Sequence, residues 1–483
     1  MSHSVNHLSS GLPVEDRQML HDDLYLKIAS QIQHFFRNDL NDLPAETAGK
    51  FLRVVVQISQ LEPLNWLARQ TADIKTYWLD REDKFSMAGV GAIDIIEGHD
   101  SIDYPAVFKR LRQYLSPLFP QVRYYGGVGF SQDLLVDSNW QLFGNYRFIV
   151  PRFEIYVEGS FTYFACNLRL NLSNESCDAQ EQELKLILQE LAQLDLTQDF
   201  EYSNRKLPLL LDRSDSPTKL DWYQNIDSAL TKFPELNLDK IVLARQSTLT
   251  FKNPVQPQSI LLALQPHNPL SYHFCFQINP TTAFIGTSPE RLYYRQGRSL
   301  LTEALAGTRH RGTSIQIDRE LSDNLRDSPK DIHEHQVVVQ NLRDILTELC
   351  QAVEIDLQST ILKLNKVQHL YTRCQGILYP HLTDADLLPK LHPTPAMGGF
   401  PKKQALKLIR QLEPFARGWY AAPVGWVGFD SAEFAVAIRS GLIDRDRLLL
   451  FAGAGIVRGS QPQEEWVEVE NKISHFIDLF HKP

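Results

Sequence analysis

The sequence of 483 residues has few of the patterns that identify common catalytic or binding sites. Its five cysteines are scattered and form no Cys-x-x-Cys pair, which fits a reducing compartment and argues against a zinc site. No apolar run approaches the roughly 18 residues of a membrane-spanning helix. P-loop, GxGxxG, nucleophile-elbow and HExxH motifs are also missing, so nucleotide-binding, serine-hydrolase and zinc-protease activities have no support.

The charged residues form no long basic run. The formal net charge is −9, from 49 Lys and Arg against 58 Asp and Glu, so we expect no nucleic-acid partner. Residues 1–12 are polar and rich in Ser and His, without the basic and apolar regions of a secretory signal. We therefore expect residues 1–13 to be a flexible tail of a cytoplasmic protein, with the plastid stroma as the alternative in a plant or alga.

Helical and strand-like segments do not alternate as they would in a βαβ protein. A helix is predicted at 14–40, and a meander of strands at 272–305. Further strand-like runs occur at 51–58, 76–79, 123–130, 146–157 and 161–170. This mixture predicts an α+β fold. A polar segment at 196–219 is the best internal boundary, and it divides an N-terminal part, 14–219, from a C-terminal part, 220–483.

The most informative stretch lies near the C-terminus. The apolar run 448–451 is followed by Gly453 and Gly455, which predicts a strand that enters a glycine turn. A helix is predicted next, with Ser460 as its cap and Pro462 in its first turn. Three charged residues lie along one line of that helix: Glu465, Glu468 and Lys472. They form either a site for a charged ligand or a solvated face with an i,i+4 pair.

Three other side chains have the chemistry of a base, an acid or a metal ligand. Lys240 begins an apolar strand, where it is an ordinary edge residue or, if desolvated in a cleft, a general base. Glu290 lies in a turn between two strands, where it faces solvent or, if buried, becomes a general acid. Glu334 projects from the apolar side of a predicted helix, which is costly for an unpaired carboxylate and favours a metal or cationic partner. Mg²⁺ is the natural candidate, because oxygen ligands are available and thiol or paired-His sets are not.

Several positions have an ordinary structural explanation beside a binding role. His369 is typical of a core or strand-end histidine, Tyr420 of core packing, and Arg439 of a strand end. Gly307 and Thr308 form either a simple turn or a set of N–H groups for a carboxylate. None of these signals is specific when taken alone.

In chain order, however, seven motifs of this sequence resemble those of the chorismate-utilising enzymes. They are KIVLAR at 240–245, GTSPERL at 286–292, EALAGTRHRG at 303–312, SPKDIHEHQVVVQNL at 328–342, VQHL at 367–370, HPTPAMGG at 392–399 and AGAGIVRGSQPQEEWVEVENK at 452–472. The resemblance covers residues 220–480 and is weaker before them. It implies a single large two-lobed α+β domain, with two packed antiparallel β-sheets flanked by helices and the active site in a cleft.

Single residues separate the branches of this family. At the position that matches Lys240, isochorismate and salicylate synthases also have a lysine, whereas ammonia-using anthranilate synthases have another residue. Ala306 replaces the nucleophilic lysine of aminodeoxychorismate synthases, and Ala396 stands where salicylate synthases tend to have threonine. The chain therefore resembles isochorismate synthases of the menaquinone and phylloquinone pathways. A salicylate synthase and a non-catalytic binding subunit remain the alternatives.

The resemblance also implies a role for each candidate residue. Lys240 would activate water for addition to C2 of chorismate, and Glu290 would protonate the departing C4 hydroxyl. The positions that match the Mg²⁺ site are the ligands Glu334 and Glu468 and, around them, Asp331 and Glu465. The positions that match the chorismate site are Gly307, Thr308, His369, Tyr420, Arg439, Gly453, Gly455 and Lys472. A monomer without a glutaminase partner is expected.

Overall fold

Strands from both halves of the chain form two antiparallel sheets in the computed structural model, which describes residues 14–131, 137–169, 177–197, 207–364 and 367–480. The predicted flexible tail, 1–13, lies outside the described residues. The described helices are α1 Val14–His34, α2 Pro63–Arg69, α3 Tyr104–Gln113, α4 Cys177–Leu191, α5 Lys219–Leu236, α6 Pro257–Leu264, α7 Ile315–Asp327, α8 Pro329–Leu349, α9 Asp384–Leu391, α10 Lys402–Leu412 and α11 Pro462–Ile477. None of them is both long and apolar enough to cross a membrane.

The described strands alternate with these helices without a regular repeat. The strands are β1 Phe51–Ile58, β2 Lys75–Leu79, β3 Phe85–Val90, β4 Asp94–Gly98, β5 Tyr124–Val128, β6 Tyr146–Val150, β7 Phe153–Glu158, β8 Phe161–Arg169, β9 Leu210–Ser216, β10 Lys240–Phe251, β11 Tyr272–Asn279, β12 Thr282–Ser288, β13 Arg291–Gln296, β14 Ser299–His310, β15 Cys350–Ile355, β16 Thr360–Lys363, β17 Val367–Leu378, β18 Gly399–Phe400, β19 Pro423–Val427, β20 Ser431–Val436, β21 Ser440–Asp444 and β22 Arg447–Val457.

The larger sheet has 12 strands in the order β1-β8-β7-β3-β2-β11-β12-β21-β22-β10-β18, with β9 also paired to β10. The smaller sheet has 10 strands in the order β15-β17-β14-β13-β20-β19-β5-β6-β4, with β16 also paired to β17. β9 lies inside the polar segment 196–219, of which residues 198–206 are outside the described part. Each sheet therefore contains strands from both sides of residue 219. The predicted α+β fold with two antiparallel sheets is confirmed.

The two sheets pack against each other through a shared aromatic core. Trp78, Phe284 and Phe451 of the larger sheet lie in one buried cluster with Tyr125 and Val424 of the smaller sheet. Separate apolar clusters lie between each sheet and its helices. Large aromatic side chains bury much area per residue, so they suit an interface between two sheets.

The chain passes from one sheet to the other at Pro151. The predicted strand at 146–157 is in fact two strands, β6 in the smaller sheet and β7 in the larger one. Proline lacks the N–H that a continuous ladder needs, which explains the break. The predicted helix at 14–40 is also interrupted, since α1 ends at His34 and a π-helical turn follows at Phe35–Asp39.

β22 differs from the predicted strand and glycine turn. It continues through Gly453 and Gly455, which pair with Ala244 and Val242 of β10 in an unbroken register. The turn comes later, where Gly459 has a φ of +93°. The prediction was wrong because β10 supplies a long partner strand, and such a partner holds glycine in extended geometry.

The predicted cap of α11 was also wrong. Gln461 occupies the N-cap position, and no side chain caps the helix there. The Ser460 hydroxyl accepts a hydrogen bond from the Val457 N–H instead, at 3.2 Å. Pro462 does begin the helix, as predicted.

Candidate active site

The proposed base, acid and metal ligands lie on separate elements, yet their side chains interact, and we call the region that they share the proposed cleft. Lys240 begins β10, Glu290 lies in the link between β12 and β13, Glu334 is on α8, and Glu468 and Lys472 are on α11. Lys240 contacts Glu334, and the charges of Lys240 and Lys472 both lower the pKa of Glu290. The fold therefore brings together residues that are separated by up to half of the chain.

Lys240 is buried and held by Glu334. Its Nζ donates a hydrogen bond to Glu334 Oε1 at 2.6 Å, and the residue is only 8% exposed. Burial raises the pKa of Glu334, but the charge and hydrogen bond of Lys240 outweigh it and lower that pKa below its usual value. A Cβ on Gly455 would lie 2.8 Å from Lys240 Cε, so the glycine gives this side chain its space.

Glu290 is a buried carboxyl group with a strongly raised pKa. Its link places the side chain where it is 8% exposed. Burial, followed by the negative charge of Glu303, raises the pKa of Glu290 to about 8, while Lys240 and Lys472 oppose the rise. A carboxyl group in this state keeps its proton at neutral pH and can donate it.

Sequence reasoning missed two side chains that support the Glu290 link. Arg81 donates to the Pro289 carbonyl at 3.1 Å, and Glu303 accepts from the Arg291 N–H at 3.2 Å. Glu303 was inside a recognised motif without a role of its own. Its position within an apolar strand was an available signal, because a buried carboxylate needs a partner. Arg81 follows β2 and gave no such signal.

The carboxylates of α11 lie beside a lysine and a backbone carbonyl. Lys472 donates to Glu468 at 2.7 Å and to the Gly453 carbonyl at 2.9 Å. The Glu468 side chain is 49% exposed and forms the i,i+4 pair with Lys472. Partial desolvation raises its pKa, but Lys472 lowers it more, so Glu468 is ionised. Burial and the charge of Glu468 raise the pKa of Glu465, although a hydrogen bond with Ser460 opposes this.

The donor set fits a hard cation held by few protein ligands. The negative charge of Glu468 on α11 opposes the lowering of the Glu334 pKa by Lys240, so the Glu468 carboxylate lies near enough to Glu334 on α8 to affect its ionisation. Within the described residues, no group of three or more His, Cys, Asp and Glu side chains has a spacing suitable for a metal. Mg²⁺ commonly uses one or two carboxylates and completes its octahedron with water and substrate oxygens. Glu334 and Glu468 fit that pattern.

Arg439 is a cation without a carboxylate partner among the described side chains. Burial lowers its pKa to about 10, and it takes a left-handed backbone conformation with φ of +49°. Such a conformation is costly for arginine and is found where the surroundings impose it, often at functional sites. Tyr420 is buried, and its ring stacks on that of Phe451 with the ring centroids 5.4 Å apart. Its hydroxyl lies 3.2 Å from the point that a Gly453 Cβ would occupy.

Gly307, Thr308 and His369 meet at an irregularity between β14 and β17. The register shifts between Ala306 and Thr308, and Gly307 has a φ of +69°. His369 Nδ1 lies 3.1 Å from the Gly307 carbonyl, to which it can donate, and 3.1 Å from the Thr308 hydroxyl, from which it can accept. Burial lowers the pKa of His369 to about 4, and its buried Nε2 has no partner in the structure. The neutral imidazole therefore keeps one ring nitrogen, Nε2, without a partner among the described residues.

Asp331 lies beside the Gly307 turn, whereas Ala396 lies near Glu290. Asp331 accepts from Arg309 at 2.6 Å, and its Cβ is 3.1 Å from where a Gly307 Cβ would lie. Ala396 lines a small cavity together with Glu290. A larger side chain at position 396 would therefore project toward the proposed acid.

Known proteins are similar to this chain over most of its length. The sequence model of the family described as "Chorismate binding enzyme" matches residues 38–481. Isochorismate synthase MenF of Bacillus subtilis is 33% identical over 439 residues, which cover 87% of this chain and 91% of that protein. Chloroplastic isochorismate synthase 2 of Arabidopsis thaliana is 31% identical over 464 residues, covering 91% and 82%.

A solved structure is similar over almost the whole chain. It is that of MenF, the menaquinone-specific isochorismate synthase of Escherichia coli. The superposition has a TM-score of 0.79 at 28% identity and covers 93% of this chain and 100% of that one. The resemblance predicted from seven motifs is thus confirmed by a family match along both halves of the fold. The chain belongs to the chorismate-binding enzyme family.

Proposed function

We propose that this protein is an isochorismate synthase, which converts chorismate to isochorismate. The observation that carries the proposal is a buried carboxyl group, Glu290, that keeps its proton in the same cleft as the lysine Lys240. Replacement of one hydroxyl by another across a ring needs both an acid and a base. Curated relatives with this activity cover most of the chain.

Lys240 is the proposed base and Glu290 the proposed acid. Lys240 acts as the neutral amine, after releasing the proton that it donates to Glu334. This amine takes a proton from water as the water oxygen bonds to C2 of chorismate. The two ring double bonds shift, the C4–O bond breaks, and Glu290 gives its proton to the departing hydroxyl. One water is consumed and one released, so the reaction is an isomerisation. Each proton transfer of this kind typically contributes about 10²–10⁴-fold to the rate.

Glu334 and Glu468 are the proposed Mg²⁺ ligands. Bound Mg²⁺ would neutralise the ring carboxylate and fix its orientation. Glu465 lies one helical turn from Glu468 and would order water around the metal. Asp331 is already bound to Arg309, so its proposed contribution is to hold α8 and the Gly307 turn.

The remaining residues would bind the two carboxylates of chorismate. Arg439 offers a two-pronged donor without a competing ion pair in the described chain, and Tyr420 offers a buried hydroxyl. Lys472 and His369 are proposed to lie near the carboxylate on the ring of chorismate. Bare backbone at Gly307, Gly453 and Gly455, with the Thr308 hydroxyl, lets the substrate approach closely.

The direct test is a product analysis. Purified protein is incubated with chorismate and Mg²⁺, without ammonia, and the products are separated by chromatography. Isochorismate alone is expected. Salicylate with pyruvate would instead support a salicylate synthase, and no conversion would contradict an enzymatic function. The Lys240→Ala variant should bind chorismate and lose turnover, and near-normal turnover would exclude Lys240 as the base.

A further inference from the structure

Two buried side chains of opposite charge hold the backbone on both sides of Glu290. We call residues 289–291 the acid link. Arg81 Nη1 donates to the Pro289 carbonyl at 3.1 Å, and Glu303 Oε1 accepts from the Arg291 N–H at 3.2 Å. The residue before the proposed acid and the residue after it are therefore both fixed by hydrogen bonds.

Arg81 and Glu303 are also bound to each other. Arg81 Nη2 donates to Glu303 Oε2 at 2.9 Å, and Nη1 bonds the second carboxylate oxygen. Arg81 is 8% exposed, and the Glu303 side chain is fully buried. Two parallel bonds between a guanidinium and a carboxylate define orientation as well as distance. The pair thus forms a rigid support behind the acid link.

The support joins parts of the chain that are far apart. Arg81 lies between β2 and β3 of the larger sheet, and Glu303 lies in β14 of the smaller sheet. Through Arg81, the N-terminal part of the fold thereby contacts the acid link. This contact is independent of the residues proposed to bind Mg²⁺ or chorismate.

One negative and two positive side chains near Glu290 shift its pKa in opposite directions. Glu303 on β14 raises the pKa of Glu290, while Lys240 on β10 and Lys472 on α11 lower it. Glu290 and Glu303 line the same small cavity, of about 10 Å³. The Arg291 guanidinium lies 4.0 Å from Glu303 but is closer to Glu82, at 2.7 Å. It also binds Glu433 at 3.4 Å, so its positive charge is shared among three carboxylates. Tyr371 also hydrogen-bonds Glu303.

We propose that Arg81 and Glu303 are positioning residues for Glu290: the pair fixes the acid link, and Glu303 places negative charge behind the carboxyl group that donates the proton. The proposal rests on the proposed function for the role of Glu290 in turnover. Its two parts are separable, because Glu303 supplies the charge and Arg81 supplies the contact with the Pro289 carbonyl.

Infrared titration tests the charge without relying on any reaction. The carboxyl band of Glu290 is followed against pH in the full-length protein, with the same protein carrying Glu290→Gln as reference. In Glu303→Gln the side chain keeps its shape and loses its charge, so the Glu290 proton should be lost at a pH lower by roughly half a unit to one unit. An unchanged midpoint would overturn the charge effect.

A matched control separates this effect from the general loss of a buried ion pair. Glu154 binds Arg53 at 3.0 Å in β7 and β1, and both side chains are almost fully buried. Glu154→Gln should reduce thermal stability in the same way and leave the Glu290 midpoint unchanged. A shift of equal size in Glu154→Gln would show that Glu303 has no particular role.

Arg81→Lys tests the position of the acid link. Lysine keeps the positive charge, which favours folding, but it cannot bind Glu303 and the Pro289 carbonyl with a rigid fork. With chorismate as substrate, kcat should fall about 10-fold while KM changes less than about 2-fold. A kcat equal to that of the wild type would overturn the positioning role. Absence of turnover in the wild type would instead reject the proposed function, while the infrared result still stands.

Discussion

At the scale of single residues, burial and neighbouring charge place two carboxyl groups of the cleft in opposite protonation states. Burial and Glu303 raise the pKa of Glu290 to about 8. Glu468 is also partly desolvated, but Lys472 lowers its pKa. A protonated carboxyl group can act as an acid, and an ionised one can bind a cation. Both residues are glutamates, so the difference in their proposed roles comes from their surroundings.

The raised pKa of Glu290 predicts how activity depends on pH. The acid is competent when protonated, so kcat/KM should fall as the pH rises through about 8. A pH–rate profile measures this alkaline limb. Glu290→Gln should lower kcat by about 10²–10⁴-fold while chorismate binding survives. Constant activity well above this pH, or an active Gln variant, would contradict the assignment.

Gly455 makes a second prediction at this scale. Its Cβ would lie 2.8 Å from Lys240 Cε and 3.3 Å from Nζ, so Gly455→Ala should displace the lysine. The lysine side chain can move, and we expect little change in thermal stability but at least a roughly 10-fold loss of kcat. Gly129→Ala is the control, because its Cβ would meet no atom closer than 3.5 Å. Equal activity of the two variants would exclude this role for Gly455.

Residue types and motifs allowed prediction of the acid, the base and the metal ligands as candidates. They did not identify what holds these side chains. The contact between Arg81 and the Pro289 carbonyl joins residues 208 positions apart, and no local pattern encodes it. The left-handed conformation of Arg439 was equally invisible, because arginine has no local preference for it.

At the scale of elements, contacts with the larger sheet hold α11 in place, so that Glu468 and Lys472 lie in the proposed cleft. Glu470 accepts two hydrogen bonds from Arg213 of β9, at 2.6 and 2.7 Å, and one from Arg245 of β10 at 2.6 Å. The Arg245 side chain is fully buried and lies 4.0 Å from the ring of Trp466. These contacts fix the helix that carries Glu468 relative to the strand that begins with Lys240.

Glu470→Gln should therefore destabilise the protein. The change leaves the buried Arg245 with no full counter-charge on α11, and we expect a loss of about 1–3 kcal/mol at pH 7 in urea unfolding. Hydrogen bonds from Arg213 lower the pKa of Glu470 to about 2, so its stabilisation is present at neutral pH and lost as the pH falls toward that value. The difference between variant and wild type should shrink accordingly.

The exposed Glu464, on the first turn of the same helix, provides the control. Glu464→Gln should leave the free energy of unfolding within about 0.5 kcal/mol of the wild type. If both variants were equally stable at pH 7, the Glu470 cluster would not anchor α11.

Helix and strand predictions succeeded where the signal lay in neighbouring residues. They failed where pairing with a distant strand determined the conformation. Pro462 begins α11, as the sequence predicted. The prediction of a turn at Gly453 and Gly455 was wrong, because pairing with β10 extends the strand through both glycines. A strand partner more than 200 residues away cannot be read from the glycines themselves.

At the scale of the whole molecule, two sheets built from both halves of the chain bring distant segments to one cleft. The fold class could be predicted from the mixture of strands and helices and from the motif resemblance. The strand order could not, because it depends on pairings such as β1 with β8 and β13 with β20. The division of the chain at residue 219 had a local basis in composition, yet both sheets continue across it.

In the proposed mechanism, water adds at C2 of chorismate as the C4 hydroxyl leaves. Turnover in water enriched in oxygen-18, followed by mass spectrometry, tests it most directly. We predict that wild-type protein with Mg²⁺ gives isochorismate carrying one oxygen-18 atom at C2, and that Lys240→Ala gives none. Unlabelled isochorismate, or labelled product from Lys240→Ala at the wild-type rate, would contradict the mechanism.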